Sequence, residues 1–267
     1  MFNKTDSVMA LILMNIHQHL QDNYDYCLVV VADTGLGKSM FCLHLLETWN
    51  KLVLNREVVP EDIKSVNTDF HKFLTRFKTM KAYDMNIFDE GVTGLDSKDH
   101  MKRLSKDITK LFNVFRSKRF FTVIVLPSFW GLNKYFRETR LRGLVWINKR
   151  GEYKFYTKEG IKWLNANNER RYMKSMELAY PFHWKSFPDY NGILRQPYDK
   201  MKNEGVDTIL QEVLQENQKK VSLVDVYKDQ VVALVEQGKT HKQIRDGLGI
   251  SGSTLSRCLV YAQDVVS

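Results

Sequence analysis

Residues 27–39 decide the fold: Cys27-Leu28-Val29-Val30-Val31-Ala32-Asp33-Thr34-Gly35-Leu36-Gly37-Lys38-Ser39. The first six form a continuous apolar run rich in β-branched residues. A strand buried on both faces, as in a parallel sheet, has that composition. The run ends in a glycine-containing loop. Lys38 to Asn50 then reads as a helix, apolar at Met40, Phe41, Leu43, Leu45 and Leu46. Gly35 and Gly37 let the backbone turn so that successive N–H groups point inward, and the helix N-terminus adds its own pull on an anion.

Ala32 to Ser39 fits seven of the eight positions of the phosphate-loop pattern G-x-x-x-x-G-K-[ST], with Ala32 in place of the first glycine. The candidate nucleotide-binding set is Ala32, Asp33, Thr34, Gly35, Leu36, Gly37, Lys38 and Ser39. Lys38 would bring positive charge to the β- and γ-phosphates of ATP, and Ser39 can ligate Mg²⁺. The competing reading is an accidental glycine-rich turn. The strand–loop–helix setting is the one the motif requires.

Outward from this stretch, residues 6–22 read as a helix, and so do 67–80, with Thr68 or Asp69 as N-cap. Met85 to Phe88 is a short strand running into Asp89-Glu90. Lys98 to Arg116 carries a helical stripe, and Phe120 to Leu126 is another buried strand ending at Pro127-Ser128. Leu144 to Asn148 and Tyr153 to Thr157 flank a hairpin turn. The alternation predicts an α/β fold with a mostly parallel sheet. Residues 161–200 look less regular. They hold three of the five prolines and suggest a packed connector. Two helices, Tyr198 to Lys220 and Val224 to Gln237, are expected next. The domains expected are 1–165, a connector at 166–220, and a small all-α unit at 221–267.

Asp89-Glu90 stands 51 residues beyond Lys38, at the C-terminal end of an apolar strand. Ligands of parallel α/β sheets gather at that edge, so the loop and the acidic pair should converge. The alternative is an ordinary exposed strand end. Ser128 ends the next strand and reads either as a polar residue facing the nucleotide or as a turn or cap residue. Arg116 and Arg119 precede this strand, and Arg137, Arg140 and Arg142 follow it. Each suits a nucleic-acid phosphate, the surface, or a finger on a neighbour's γ-phosphate.

Taken together, these motifs resemble the ASCE division of P-loop NTPases, which includes AAA+ and RecA/FtsK/HerA-type motors. The rhythm Phe88-Asp89-Glu90-Gly91, a helix ending at Phe115-Arg116, then Val123 to Ser128 looks like small viral and plasmid ATPases of the zonular-occludens-toxin-like group. An alanine-first loop is similar to that of many helicases. The resemblance covers about residues 25–150. It implies a RecA-like core that often forms rings of identical subunits. It implies that Asp89 holds Mg²⁺ through water, that Glu90 orients the attacking water, and that Ser128 takes a sensor position. Catalytic candidates are thus Lys38, Glu90, Ser128, Arg116, Arg137 and Arg142, with Ser39 and Asp89 for the metal.

At the C-terminal end, Gly238-Lys239-Thr240 caps a helix His241 to Leu248, Gly249-Ile250 turns, and Ser251 caps Gly252 to Val265. The string 238–257 resembles the helix-turn-helix of resolvases. Ile244, Leu248, Ile250, Leu255 and Leu259 would form its core. Ser251, Ser253, Thr254, Ser256 and Arg257 would start the recognition helix, where DNA is met. Arg245 stands where such motifs usually carry a small residue, so its stem should snorkel outward or the helices should pack differently. A three-helix protein-interaction module is the alternative.

The chain has 267 residues and a net charge of +9. Between Lys98 and Lys174 there are 20 Lys and Arg against 6 Asp and Glu, so one segment carries the whole excess. Such a segment is either a solvated basic face or a surface for nucleic-acid phosphates. Residues 221–267 balance five basic against five acidic. Composition excludes a disordered, collagen-like or disulfide-scaffold protein. Cys27, Cys42 and Cys258 are too scattered for a zinc cluster and suit a reducing cytoplasm, that of the host if the protein is viral. No apolar run is long enough for a membrane segment. The function expected is ATP hydrolysis coupled to DNA packaging, translocation, replication or recombination in a virus or mobile element. The alternatives are a nucleotide-switched DNA-binding regulator and a loader acting on a protein partner.

Overall fold

The run Tyr26–Val31 forms β1, and every one of its residues is buried. Its neighbours explain why. β4 (Phe121–Leu126) pairs with it in parallel on one side, from Tyr26 with Phe121 to Val31 with Leu126. β5 (Gly143–Lys149) pairs with it in parallel on the other, so no edge is left to water. A computed structural model describes residues 4–89, 110, 117–168 and 185–266. Among these, a seven-stranded sheet runs β2-β3-β4-β1-β5-β6-β7. Here β2 is Val66–Asn67, β3 Met85–Asp89, β6 Glu152–Tyr156 and β7 Lys185–Ser186. The strands from β2 to β5 are parallel, and β6 and β7 add antiparallel. The expected α/β architecture with a mostly parallel sheet is thus present.

Side chains alternate across the sheet. Leu28, Val30, Ile87, Val123 and Val125 share one core with α1 (Lys4–Gln21) and α2 (Lys38–Leu52). Val29, Val31, Phe88, Ile124 and Leu126 share the other with α3 (Phe70–Arg76), α4 (Lys134–Thr139) and α5 (Lys158–Asn168). Both faces are covered, which is why the strands read as unbroken apolar runs.

Several expectations are corrected. The helix expected over 67–80 gives up its start to β2, because Val66 and Asn67 pair with Ile87 and Phe88. Asp69 is the cap, accepting from the Lys72 amide at 2.7 Å. The buried Asn86 fastens this edge. It accepts from Asn67 Nδ2 at 2.9 Å and donates to the Phe73 carbonyl at 3.0 Å. Part of the stretch read as irregular is the helix α5, whose Ile161 and Leu164 are buried one turn apart. The two helices expected around residue 221 are one helix, α6 (Arg195–Glu236). No glycine or proline interrupts residues 206–236, and Pro197 lies in the first turn, where a missing N–H costs nothing. The helix expected over 98–116 lies outside the described residues, apart from helical Lys110.

The chain divides into two compact units, Met1–Gly205 and Val206–Ser267, so the expected connector is shared between them. The second unit has its own core of Val224, Val231, Ile244, Ile250, Leu255 and Cys258, with Leu248 and Leu259 packed against it. Its helices α7 (His241–Leu248) and α8 (Gly252–Val266) are joined by a turn in which Gly249 is left-handed, with φ of 62°.

Candidate functional site

The loop leaves β1 at buried Ala32, while Asp33, Thr34 and Gly35 are exposed. Gly35 and Gly37 have φ of 83° and 91°, a region costly for any side chain with a Cβ. A Cβ on Gly35 would meet nothing, so the dihedral rather than crowding requires glycine there. Gly37 is the N-cap of α2 and supplies no side-chain cap, and no acidic residue stands in the first turn. The positive end of the helix dipole is therefore presented to the loop without an acidic neighbour.

Lys38 folds back over this loop. Its Nζ donates to the Ala32 carbonyl at 2.6 Å and the Asp33 carbonyl at 3.0 Å. Burial lowers its pKa, and the charges of Asp89 and Asp33 oppose that shift. Asp89 reaches the same place by strand alternation. It follows Ile87 by two residues and so faces the α2 side, where it is only 1% exposed. Tyr198, on the first turns of α6, connects the two. Its hydroxyl donates to Asp89 Oδ2 at 2.8 Å and lies beside the Ser39 side chain, which works to lower the phenol's pKa. Burial and the Asp89 carboxylate push the Tyr198 phenol well above its usual range.

The segment before Tyr198 is fastened to α2. Phe187 packs edge-on against Phe41 at 5.2 Å, and the Tyr190 hydroxyl donates to Glu47 at 2.6 Å. Arg195 bonds Met40 Sδ at 2.7 Å and Asp199 at 2.8 Å. None of these residues stood out in the sequence. Their one sequence signal was the expectation of a packed connector.

The other candidates are dispersed. Glu90 and Arg116 lie outside the described residues. β4, the strand before Ser128, lies between β1 and β3. Ser128 itself is exposed, however, and its hydroxyl caps the turn Phe129–Gly131 by accepting from the Trp130 amide at 3.3 Å. Arg137 is half-buried. Its Nε donates to Asn165 at 3.0 Å, its Nη1 to the Leu132 and Trp130 carbonyls, and its guanidinium stacks on Phe129 and Trp130 at 5.4 and 5.1 Å. Arg142 precedes β5 at the N-terminal edge of the sheet, opposite the loop. There its charge helps lower the pKa values of His19 and Lys158, burial being the larger cause in both.

In the second unit, Ser251 Oγ accepts from the Thr254 amide at 3.2 Å and lies 2.9 Å from both the Ser253 and Thr254 hydroxyls. Ser256 bonds back to the Gly252 carbonyl at 3.0 Å, and Arg257 is exposed. Arg245 does project outward, with its guanidinium 3.3 Å from Asp246.

No protein-family model matches the chain, and comparison with curated proteins and with solved structures finds no match. No group of metal-binding His, Cys, Asp and Glu occurs among the described residues. The donor set at the loop is instead a hydroxyl and one carboxylate. That is the chemistry of Mg²⁺, which keeps several waters and takes one or two protein oxygens plus phosphates. Left-handed glycines, a helix end without a side-chain cap, Lys38 and this oxygen pair together fit a metal-bound polyphosphate. No described helix is long and apolar enough to cross a membrane.

Proposed function

We propose that this chain is a Mg²⁺-dependent P-loop ATPase with a RecA-like core that acts on DNA. One observation carries the reading. Asp89 at the end of β3 bonds the Tyr198 hydroxyl, and Ser39 of the loop, remote in sequence, lies beside that same hydroxyl at the C-terminal edge of the sheet. In this reading Ala32 to Ser39 hold the phosphates, Lys38 turns from its own loop carbonyls to the β- and γ-oxygens, and Ser39 and Asp89 hold the metal. Held by Ser39 and Asp89, such a metal would supply positive charge against that developing on the transferred phosphoryl group. Glu90 keeps the water-orienting role implied by the family resemblance. DNA as partner is supported by the capped two-helix turn ending in exposed Arg257 and by the basic segment 98–174. Assembly into a ring of identical subunits belongs to the same reading.

ATP turnover with and without DNA, for the full chain and for Lys38→Ala and Glu90→Gln, tests it. The wild type should hydrolyse ATP and respond to DNA. Lys38→Ala should lose nucleotide affinity. Glu90→Gln should keep affinity and lose roughly 10²–10⁴-fold in turnover, the range of a positioned base. Unchanged ATP affinity in Lys38→Ala would refute the phosphate site. DNA that neither binds nor alters the rate would refute the DNA partner and favour a loader acting on protein.

A further inference from the structure

We infer that the Tyr198 hydroxyl and a divalent cation compete for Ser39 and Asp89, so that the first turn of α6 must give way when a metal-bound nucleotide enters. The inference rests on the reading of Ala32–Ser39 as a phosphate loop.

The geometry leaves little room for both. Tyr198 Oη is 2.8 Å from Asp89 Oδ2, and the Ser39 side chain lies beside it. Mg²⁺ sits about 2.1 Å from a ligand oxygen, and its bound waters surround it at that same distance. A metal on Ser39 whose water donates to Asp89 would put that water's oxygen about where the phenol oxygen stands.

Nor can the ring swing aside alone. Tyr198 is 2% exposed and belongs to the core on the α2 face, together with Leu194 and Tyr190. Packed cores shift between discrete arrangements rather than yielding by degrees. Moving Tyr198 therefore involves the turn that carries it, and the bonds at stake are those of Arg195 to Met40 and Asp199. That turn opens a helix of 42 residues that continues into the second unit. Metal occupancy of the loop would in this way be registered by α6.

The experiment uses the full chain, a fluorescent ATP analogue, and magnesium chloride titrated from zero in EDTA-treated buffer. For Tyr198→Phe, the half-saturating Mg²⁺ concentration should fall about tenfold, which corresponds to about 1.4 kcal/mol. Affinity in EDTA should stay within about twofold. A Mg²⁺ requirement that is unchanged or raised overturns the competition and makes Tyr198 a support of the metal instead. A second readout needs no variant. Hydrogen exchange of the amides of residues 195–201 in the wild type should speed up with Mg²⁺ and the analogue but not with the analogue in EDTA, and identical exchange in the two overturns the inference. A wild type that binds no analogue under either condition fails at an earlier step and overturns the phosphate-loop reading itself.

Discussion

Replacing Arg137 separates a strut from a catalytic arginine. Its guanidinium makes three hydrogen-bonding contacts, to Asn165 Oδ1 at 3.0 Å and to the carbonyls of Leu132 and Trp130. It also stacks on Phe129 and Trp130. Asn165 is 9% exposed and its Nδ2 already lacks a partner, so Arg137→Ala leaves this amide poorly satisfied at both ends. A hydrogen bond to a charged donor contributes about 1.5–3 kcal/mol when its loss strands a buried acceptor. The cation–π contact adds about 0.5–1 kcal/mol at a partly exposed site. Taking the Asn165 bond as the strong one, the two carbonyl contacts together as a discounted second, and the stacking, the loss is about 3 kcal/mol. With an m-value of about 2–3 kcal/mol/M in urea, the midpoint should fall by about 1–1.5 M. Tryptophan fluorescence follows this transition, since Trp130 is one of the stacked rings. Arg137→Lys should recover less than half, because an ammonium cannot reproduce the fork. Turnover per folded molecule should stay close to wild type. A midpoint within about 0.2 M of wild type together with a hundredfold fall in turnover would refute the strut and restore Arg137 to the reaction.

Two further outcomes follow from the first unit. Arg56 grips the buried Asp62 at 2.7 and 2.8 Å and the Val59 amide donates to it at 2.9 Å, which holds its carboxyl below the usual value. Because the folded pKa is the lower one, this stabilisation is full above the unfolded value of about 4 and is lost as pH falls through the folded value. Urea midpoints of wild type and Asp62→Asn should differ by a constant amount above about pH 5 and converge in acid; a difference that grows in acid would contradict the sign. Gly37→Ala should cost about 1–2 kcal/mol of strain at φ of 91° and weaken ATP affinity about tenfold by calorimetry, although its Cβ would meet only the Phe187 ring at 3.8 Å. Unimpaired affinity would mean that the loop does not need this turn.

How far the sequence can be read depends on whether the cause is local. β1 and the loop were legible because a β-branched run and two glycines fix them within a dozen residues. Asp69 was legible as a cap for the same reason. α5 was not, because its sequence is rich in Asn and its helix is stabilised by burying Ile161 and Leu164 on a sheet face that only the tertiary structure supplies. Asp89 could be placed from the motif spacing. Tyr198 could not, because it meets Asp89 across 109 residues and nothing in its neighbours marks it from any other core tyrosine. The surroundings of Arg137 were hidden for a related reason. Its position after β4 suited a finger, and the aromatic pair Phe129-Trp130 that holds it was legible only as apolar bulk.

The basic segment shows the same limit for charge. A count over 98–174 treats every cation as available, yet Arg137 is occupied, Lys154 is buried, and Lys149 and Arg150 pair with Glu152 and Asp189, each at 3.1 Å. Such exposed pairs are weak but still offset local potential. What gathers instead is a cluster of Arg142, Lys158 and Lys162, close enough that the first and last both depress the pKa of Lys158 after burial does. Three cations against the single nearby carboxylate of Glu159 leave a positive local potential, which a polyanion would relieve. This cluster stands at the N-terminal edge of the sheet, whereas the glycine loop 32–39 leaves the C-terminal edge. The six residues of β1 put about 20 Å between the two edges. In the proposed reading, a nucleic-acid phosphate seated on that cluster would be about 20 Å from a nucleotide held at the loop of the same subunit. Hydrolysis would reach it through the strands or through a neighbouring copy whose loop faces it, and a salt-sensitive DNA affinity that survives Lys38→Ala is what this separation requires.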